Sequence, residues 1–457
     1  MPSFDFFQHW YPLLPIEDLE PQKPTTATLL GIPLAIWYSP RSETYQVFLD
    51  RCPHRLAPLS EGRIDDQTGN LMCSYHGWQF SKDGACTHIP QADSESTAKN
   101  NQLSGRLKGK VSQGTQTIAP NKNLCAKAFP AVEKNDLLWV WMDASCPETA
   151  AKTALPLSPK IDASQGFVWS SMVRDLEYDW RTLVENVADP SHVPFAHHGI
   201  QGNREKAQPI VLDILQSTID RIEVETHRPF KTTITFEPPC RLEYGLTFGD
   251  ESKQVGLITY CLPVAPGKSR IVAQFARNFA TKLHHLTPRW WDHLQNRNLI
   301  LDGDMVLLHQ QESLLQNKHW RDVYKMPTSA DRLVIEFLKW FDRYCDGQIP
   351  WDQADVSNNP QSILFPPREV LLDRYHQHTQ HCSSCRTTLK TIKLWQWLLL
   401  SYFIATISIV AVLPDHLRVS WGLGFMISAI IALGIAAGLR FWLMPKFYFV
   451  DYVHSER

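Results

Sequence analysis

Two short clips, Cys52-Pro53-His54 and Cys73-Ser74-Tyr75-His76, constrain this chain more than any other part of it. Each clip offers one thiolate and one imidazole. Together they are the ligand set of a [2Fe–2S] cluster in which the cysteines hold one iron and the histidines the other. Neutral histidines in place of two thiolates lower the negative charge on such a cluster and raise its reduction potential. A single zinc ion is the competing reading, because Cys₂His₂ is also a zinc set. Zinc fingers pair Cys with Cys and His with His, whereas both clips here are mixed. Pro53 stiffens one clip and Gly77 opens the other. The array on its own describes a one-electron carrier.

A chain of 457 residues can hold two or three domains with sizeable cores. Its formal net charge of -2 gives no reason to expect a nucleic-acid partner. Ten cysteines without a paired framework fit a reducing compartment. The first residues, Met1 to Trp10, carry neither the basic nor the apolar region of a signal peptide, and no Arg- and Ser-rich transit peptide is visible.

The other end of the chain is different. Leu394 to Pro414 and Trp421 to Met444 are two apolar runs, the second with only Arg440 charged, each about long enough to cross ~30 Å of hydrocarbon. Pro414 to Arg418 is a short polar connection suited to a helical hairpin. Trp395, Trp397, Trp421, Trp442 and Tyr448 stand at the ends of the runs, where amphipathic rings prefer the interface. Lys390, Lys393, Arg440 and Lys446 flank the outer ends, while the connection carries one Arg balanced by one Asp. The positive-inside bias therefore predicts a multi-pass membrane protein with its body and tail on the cytoplasmic side.

Alternation predicts a β-rich first segment, residues 1–145. Leu30 to Tyr38 and Tyr45 to Leu49 read as paired strands, Asp65 to Asn70 as a turn between the clips, and Leu137 to Met142 as a return to order. Ala92 to Lys122 is Ser-, Gln-, Lys- and Asn-rich and reads as a flexible insertion. Ala144 to Pro159 reads as a linker. A second domain, 160–345, opens on a helical stretch containing Trp180 to His198. Alternating segments follow over 210–236 and 242–264, expected as an antiparallel sheet, then helical periodicity over 289–315 and 330–344. Residues 346–390 read as a connector and 391–457 as the anchor. The expected class is α+β.

Glu185 to His197 carries a second set of ligand types. Asp189, His192 and His197 lie close in sequence, with Pro190 and Pro194 bending the segment so that the imidazoles can converge. Two histidines and one carboxylate with open positions suit non-haem Fe(II). An isolated histidine on a helix is more often a core or surface residue. An electron carrier upstream, however, needs an acceptor.

Cys52/His54/Cys73/His76 followed by Asn186-x-x-Asp189-x-x-His192-x₄-His197 resembles the Rieske non-haem iron oxygenase family. The run Asp189-Pro190-Ser191-His192, continuing to Ala196-His197-His198-Gly199, with Pro327 to Arg332 downstream, resembles more narrowly its pheophorbide a oxygenase group. That group includes chlorophyllide a oxygenase, protochlorophyllide oxygenase and the Rieske protein of the chloroplast inner-envelope translocon. Two departures stand out: the 18 residues between His54 and Cys73, slightly long, and the insertion from about Ala92. The resemblance implies an N-terminal Rieske domain and a helix-grip catalytic domain. It selects His197 over His198 as the second iron ligand and completes the triad with an aspartate in Leu301 to Gln310. Asp304 is the choice and Asp302 the runner-up. It also implies that Asp189 bridges a cluster histidine of one subunit to an iron histidine of its neighbour, hence a homotrimer.

Cys382-Ser383-Ser384-Cys385 follows His376, His378 and His381. A C-x-x-C pair is a common redox or metal element, and Arg386 in place of His excludes a c-type haem attachment. The resemblance suggests redox thiols; two ordinary reduced cysteines are the plain alternative. No GxGxxG fingerprint is present, so the reductase is expected to be a separate, ferredoxin-like donor. The resemblance implies O₂ and a chlorophyll-derived tetrapyrrole as substrates, with pheophorbide a oxygenase-like activity first and a chlorophyllide a or protochlorophyllide oxygenase, or an oxygenase of another lipophilic substrate, as the alternative. The expected membrane is a cyanobacterial thylakoid or plasma membrane, or the stromal face in a plastid. The rival from another class is a non-catalytic Rieske relay at a membrane complex.

Overall fold

The computed structural model describes residues 3–92, 122–228, 230–249, 252–315, 318–351 and 366–456. All but the ends of the Ala92–Lys122 insertion, and most of the Pro350–Pro367 connector, lie outside them.

Among the described residues, three small antiparallel sheets form the N-terminal part. One orders Trp10–Pro15, Leu137–Trp141 and Ala131–Lys134; another orders Thr25–Leu29, Ile32–Ser39, Thr44–Leu49 and Ala128–Phe129. The third is built from short strands, Arg63–Ile64, Leu71–Met72, Gln79–Phe80 and Cys86–His88, and carries the clips. Asp65 closes its first turn by accepting from the Thr68 amide and hydroxyl, both at 2.7 Å. Leu30 and Gly31 do not belong to the strand expected from Leu30. They form a two-residue turn with φ of 54° and 79°, the geometry that matches strand twist in tight hairpins. Leu30 is held there by tertiary structure: its amide donates to the Pro263 carbonyl at 2.7 Å and that of Gly31 to Val264 at 2.9 Å.

The second part is built on a seven-stranded antiparallel sheet. Its order is Val168–Leu176, Lys268–Arg277, Lys253–Ala265, Arg241–Phe248, Lys231–Glu237, Ile222–Thr226, Asp213–Ser217. The first two strands were not expected from the sequence, which placed a helical stretch at the opening of this domain. Their middles are buried at consecutive positions, so they lack the alternation that betrays a half-exposed strand. Segment 144–159 contains a short helix, Pro147–Lys152, beside which Trp10 Nε1 donates to the Thr153 carbonyl at 3.1 Å.

Three helices serve the site: α1 (Trp180–Ala188), α2 (Asn298–Leu315) and α3 (Arg332–Cys345). Asp179 caps α1 through the Arg181 amide, and Pro190 prevents its continuation. Trp180 and Phe236 each meet the Phe337 ring of α3 edge-on, joining sheet and helices in one apolar core that also takes Trp139, Trp141 and Tyr452.

Helices α4 (Ser383–Val412) and α5 (Asp415–Gly438) pack against each other as a hairpin. Both are long and apolar enough to cross a membrane by length and composition. The turn is shorter than expected, because Pro414 caps α5 directly. Along the seam Ala429, Ala432 and Ala436 are buried while Val412, Val419, Leu423 and Phe441 are exposed, small residues allowing close approach. Beyond α5 the chain turns back: Asp373 bridges Phe449, and Tyr452 enters the core.

Candidate metal centres

The two clips share one backbone design. Cys52 N–H donates to Ala57 O five residues on, and Leu56 N–H, four residues on, returns to Cys52 O, both at 2.8 Å. Cys73 repeats this with Trp78 at 2.9 Å and Gly77 at 3.0 Å. The fourth residue has positive φ in both, 61° at Leu56 and 71° at Gly77. Leucine hides that turn from a sequence reading, whereas glycine announces it. A Cβ at Gly77 would also lie 2.9 Å from Pro90 Cγ.

This design buries Cys52 and Cys73 and leaves His54 and His76 at the rim. The His54 ring stacks on Trp78 at 4.6 Å and stands 4.5 Å from His76, whose other neighbour is Tyr75 at 3.9 Å. Burial pushes the Cys52 thiol up to about 11, the His54 backbone N–H opposing and Cys73 reinforcing the shift. His54 Nδ1 is buried and has no protein partner among the described residues. Buried thiols on one side and a ring nitrogen without a partner on the other fit a [2Fe–2S] cluster.

The second centre lies between α1 and α2. His192 Nε2 and His197 Nε2 are 3.1 Å apart; Asp304 Oδ1 is 3.9 Å from the first and Oδ2 3.4 Å from the second. Two ligand atoms at a right angle on bonds of about 2.1 Å would stand about 3 Å apart, so the spacing suits one ion. Pro190 ends α1, and the single turn Val193–Ala196 sets His192 before it and His197 after it. His192 Nδ1 donates to the Asp189 carbonyl at 2.5 Å, which fixes the tautomer that presents Nε2 to the site. His197 is buried, and burial, with His192 and His454 nearby, lowers it to about 3, so the ring is neutral and can ligate. Burial raises Asp304 to about 6, while His192 and a hydrogen bond with Asn186 pull it down.

Asp302 does something else. Its carboxylate takes Arg174 Nη2 at 2.7 Å and Arg374 Nε at 2.8 Å, all three side chains fully buried. His198 turns away, its Nδ1 accepting from the Arg204 amide at 3.1 Å. Asp189 Oδ1 accepts from the Ser191 amide and hydroxyl at 2.7 and 2.6 Å. Its Oδ2 is 3.9 Å from His192 Nδ1, so the Asp189–His192 hydrogen bond runs through the main chain. Cys382 and Cys385 are free, buried thiols beside His293 and His378.

Sequence reasoning missed the last residues of the chain. Tyr452 Oη donates to Ala196 O at 2.8 Å, between the two histidines, and its ring lies against Gly303, next to Asp304. Only the return of the chain after α5 brings them there, and no local pattern encodes it.

Residues 9–107 match the Rieske [2Fe-2S] domain and residues 236–320 match pheophorbide a oxygenase. Pheophorbide a oxygenase of Oryza sativa subsp. japonica is 35% identical over 477 residues, covering 99% of this chain and 86% of that protein. The chain belongs to the pheophorbide a oxygenase family. It is thus a Rieske-type non-haem iron oxygenase. Flavonoid 8-hydroxylase 2 of Ocimum basilicum is also similar, 33% identical over 85% of this chain and 75% of its own length. Among solved structures, the QL mutant of NdmA from Pseudomonas putida CBB5 shares the fold, with a TM-score of 0.57 at 21% identity over 73% of this chain and 89% of that one. Both centres of the family, a Rieske cluster and a mononuclear iron, have matching donor sets here.

Proposed function

We propose that this protein is a membrane-anchored oxygenase that uses O₂ and electrons from a ferredoxin-like donor to oxygenate a chlorophyll-derived tetrapyrrole, with pheophorbide a as the leading candidate. The observation that carries this reading is the convergence of His192, His197 and Asp304 in a chain 35% identical to a pheophorbide a oxygenase over nearly its whole length. When bound, the cluster at Cys52, His54, Cys73 and His76 would supply single electrons, and the mononuclear iron would supply O₂ activation.

The chain's own residues do the positioning. The Asp189 carbonyl holds the His192 ring, and Asn186 steadies Asp304. Burial of His197 and Asp304 limits water at the site. Asp189 is assigned a bridging role between a cluster histidine and an iron histidine of neighbouring subunits, which requires a homotrimer. Leu56 and Tyr75, apolar and exposed beside the cluster histidines, are assigned to docking of the donor or the neighbour. Helices α4 and α5 are assigned to the membrane, with the body and the returning tail on one side of it. That arrangement suits an apolar substrate delivered from the bilayer, the side being cytoplasmic, or stromal in a plastid.

The similarity to a flavonoid hydroxylase favours a second reading, in which a smaller planar aromatic is hydroxylated. Full-length protein with reduced ferredoxin and O₂ should be offered pheophorbide a, chlorophyllide a and a flavone, with products read by mass spectrometry. Turnover of pheophorbide a is expected. Turnover of the flavone alone would replace this reading with the second, and exclusive formylation of chlorophyllide a would move the chain to that branch.

A further inference from the structure

Four side chains outside the iron site converge where the apolar hairpin meets the catalytic body. His293 lies in the wide turn His293–Arg297, in the same helical run as α2, and His378 lies in Tyr375–Thr379. Cys382 is the N-cap of α4 and Cys385 stands in its first turn. All four are at most 1% exposed.

Their ligand atoms form a closed cage within 4.8 Å of one another. His293 Nδ1 and His378 Nε2 are 3.1 Å apart, and Cys385 Sγ is 3.4 Å from His378 Nε2. Cys382 Sγ and Cys385 Sγ stand 3.6 and 3.8 Å from His293 Nδ1. A tetrahedral ion with bonds of about 2.05 Å to nitrogen and about 2.3 Å to sulfur would separate N from N by about 3.3 Å and N from S by about 3.6 Å. The observed separations scatter around those values. His378 Nδ1 donates to the Val173 carbonyl at 2.6 Å, which commits the Nε2 lone pair to the centre of the cage.

We propose that His293, His378, Cys382 and Cys385 form a structural zinc site that fastens the apolar hairpin to the catalytic body. Two thiolates balance the charge of a divalent ion, which makes complete burial of the group tolerable. Four protein ligands leave no open position, as in structural rather than catalytic zinc sites. Thiolate and imidazole ligands in a tetrahedral set favour zinc over the harder cations. The ion would tie three segments together: the base of α4, the turn Tyr375–Thr379, and the helical run that continues from His293 to Asp304; the His378 hydrogen bond to Val173 adds the sheet. Asp18 clasps the same junction, accepting from the Ser383 amide at 2.7 Å and pairing with Arg289 at 2.6 Å.

The test is elemental analysis of the full chain purified in detergent without chelator. About one zinc per chain is expected in addition to iron, and the double substitution Cys382→Ser, Cys385→Ser should lose the zinc and keep the iron. Wild-type protein grown with cobalt should show intense thiolate-to-cobalt charge-transfer absorption, a readout that needs no variant to fold. Zinc-free wild-type protein without that absorption would overturn the proposal. So would a Cys382–Cys385 disulfide in metal-free protein, or an extra iron in place of zinc.

Discussion

Tyr452 donates its hydroxyl to the main-chain carbonyl of Ala196 at 2.8 Å, although 256 residues and both apolar helices separate the two. Tyr452 therefore buttresses the backbone that carries His197 and Asp304. Tyr452→Phe should lose this one hydrogen bond, worth about 1 kcal/mol. Tyr452→Ala should cost about 3–5 kcal/mol through the cavity left against Gly303. Iron retention in the two variants, measured after gel filtration, should fall in the same order.

Asp302 and Asp304 should separate cleanly on substitution. Asp304→Ala is expected to lose the mononuclear iron, leave the cluster spectrum unchanged and lower the melting temperature little. Asp302→Ala strands two buried guanidinium groups, Arg174 and Arg374, and should destabilise by about 3–5 kcal/mol. Metal analysis alongside thermal melts distinguishes them; iron loss confined to the Asp302 variant would exchange the two roles.

The shared turn of the clips predicts an asymmetry. Leu56 adopts positive φ without need of its exposed side chain, so Leu56→Gly should keep the cluster and stabilise by up to about 1 kcal/mol. Gly77→Val combines positive φ with a clash at Pro90 and should yield protein lacking the cluster absorption and its electron paramagnetic signal.

Glu312 sets a pH dependence. Its carboxylate accepts from the Asp179 amide at 2.6 Å, joining α2 to the cap of α1. Burial, with repulsion from Asp179, raises it from 4.5 to about 7. The unfolded chain releases that proton near its ordinary value, so between the two values the folded state holds a proton that the unfolded state has lost. Stability from this group is therefore present at acidic pH and declines as pH rises towards about 7. Glu312→Gln removes the decline. Allowing for partial exposure, the variant should gain about 1–2 kcal/mol on wild type between pH 5 and 8. Melting curves across that range check it, and a pH-independent difference would contradict it.

What was readable in the sequence follows from how locally each feature is encoded. Each clip is complete within three or four residues, so spacing exposes it, whereas the His192–His197 pair gains meaning from the clips upstream and from the family resemblance that selects His197 over His198. Asp304 and Asp302 differ only in which way one helix face turns, and side-chain packing, not pattern, sends one to the histidines and the other to Arg174 and Arg374. Strands Val168–Leu176 and Lys268–Arg277 escaped because burial on both faces erases alternation. The Cys382–Cys385 pair was visible as a motif, but its partner His293 lies 89 residues before Cys382. The Leu30–Gly31 turn and Tyr452 depend on contacts with distant strands and helices, which no window of sequence contains.

The most direct test of the oxygenase assignment is a single turnover. Full-length protein, its cluster reduced under anaerobic conditions and loaded with pheophorbide a, is mixed with ¹⁸O₂ and the tetrapyrrole is weighed by mass spectrometry. One labelled oxygen is expected in the product, with the cluster spectrum returning to its oxidised form at the same rate. Unlabelled, unchanged pheophorbide a beside a cluster that stays reduced would contradict it.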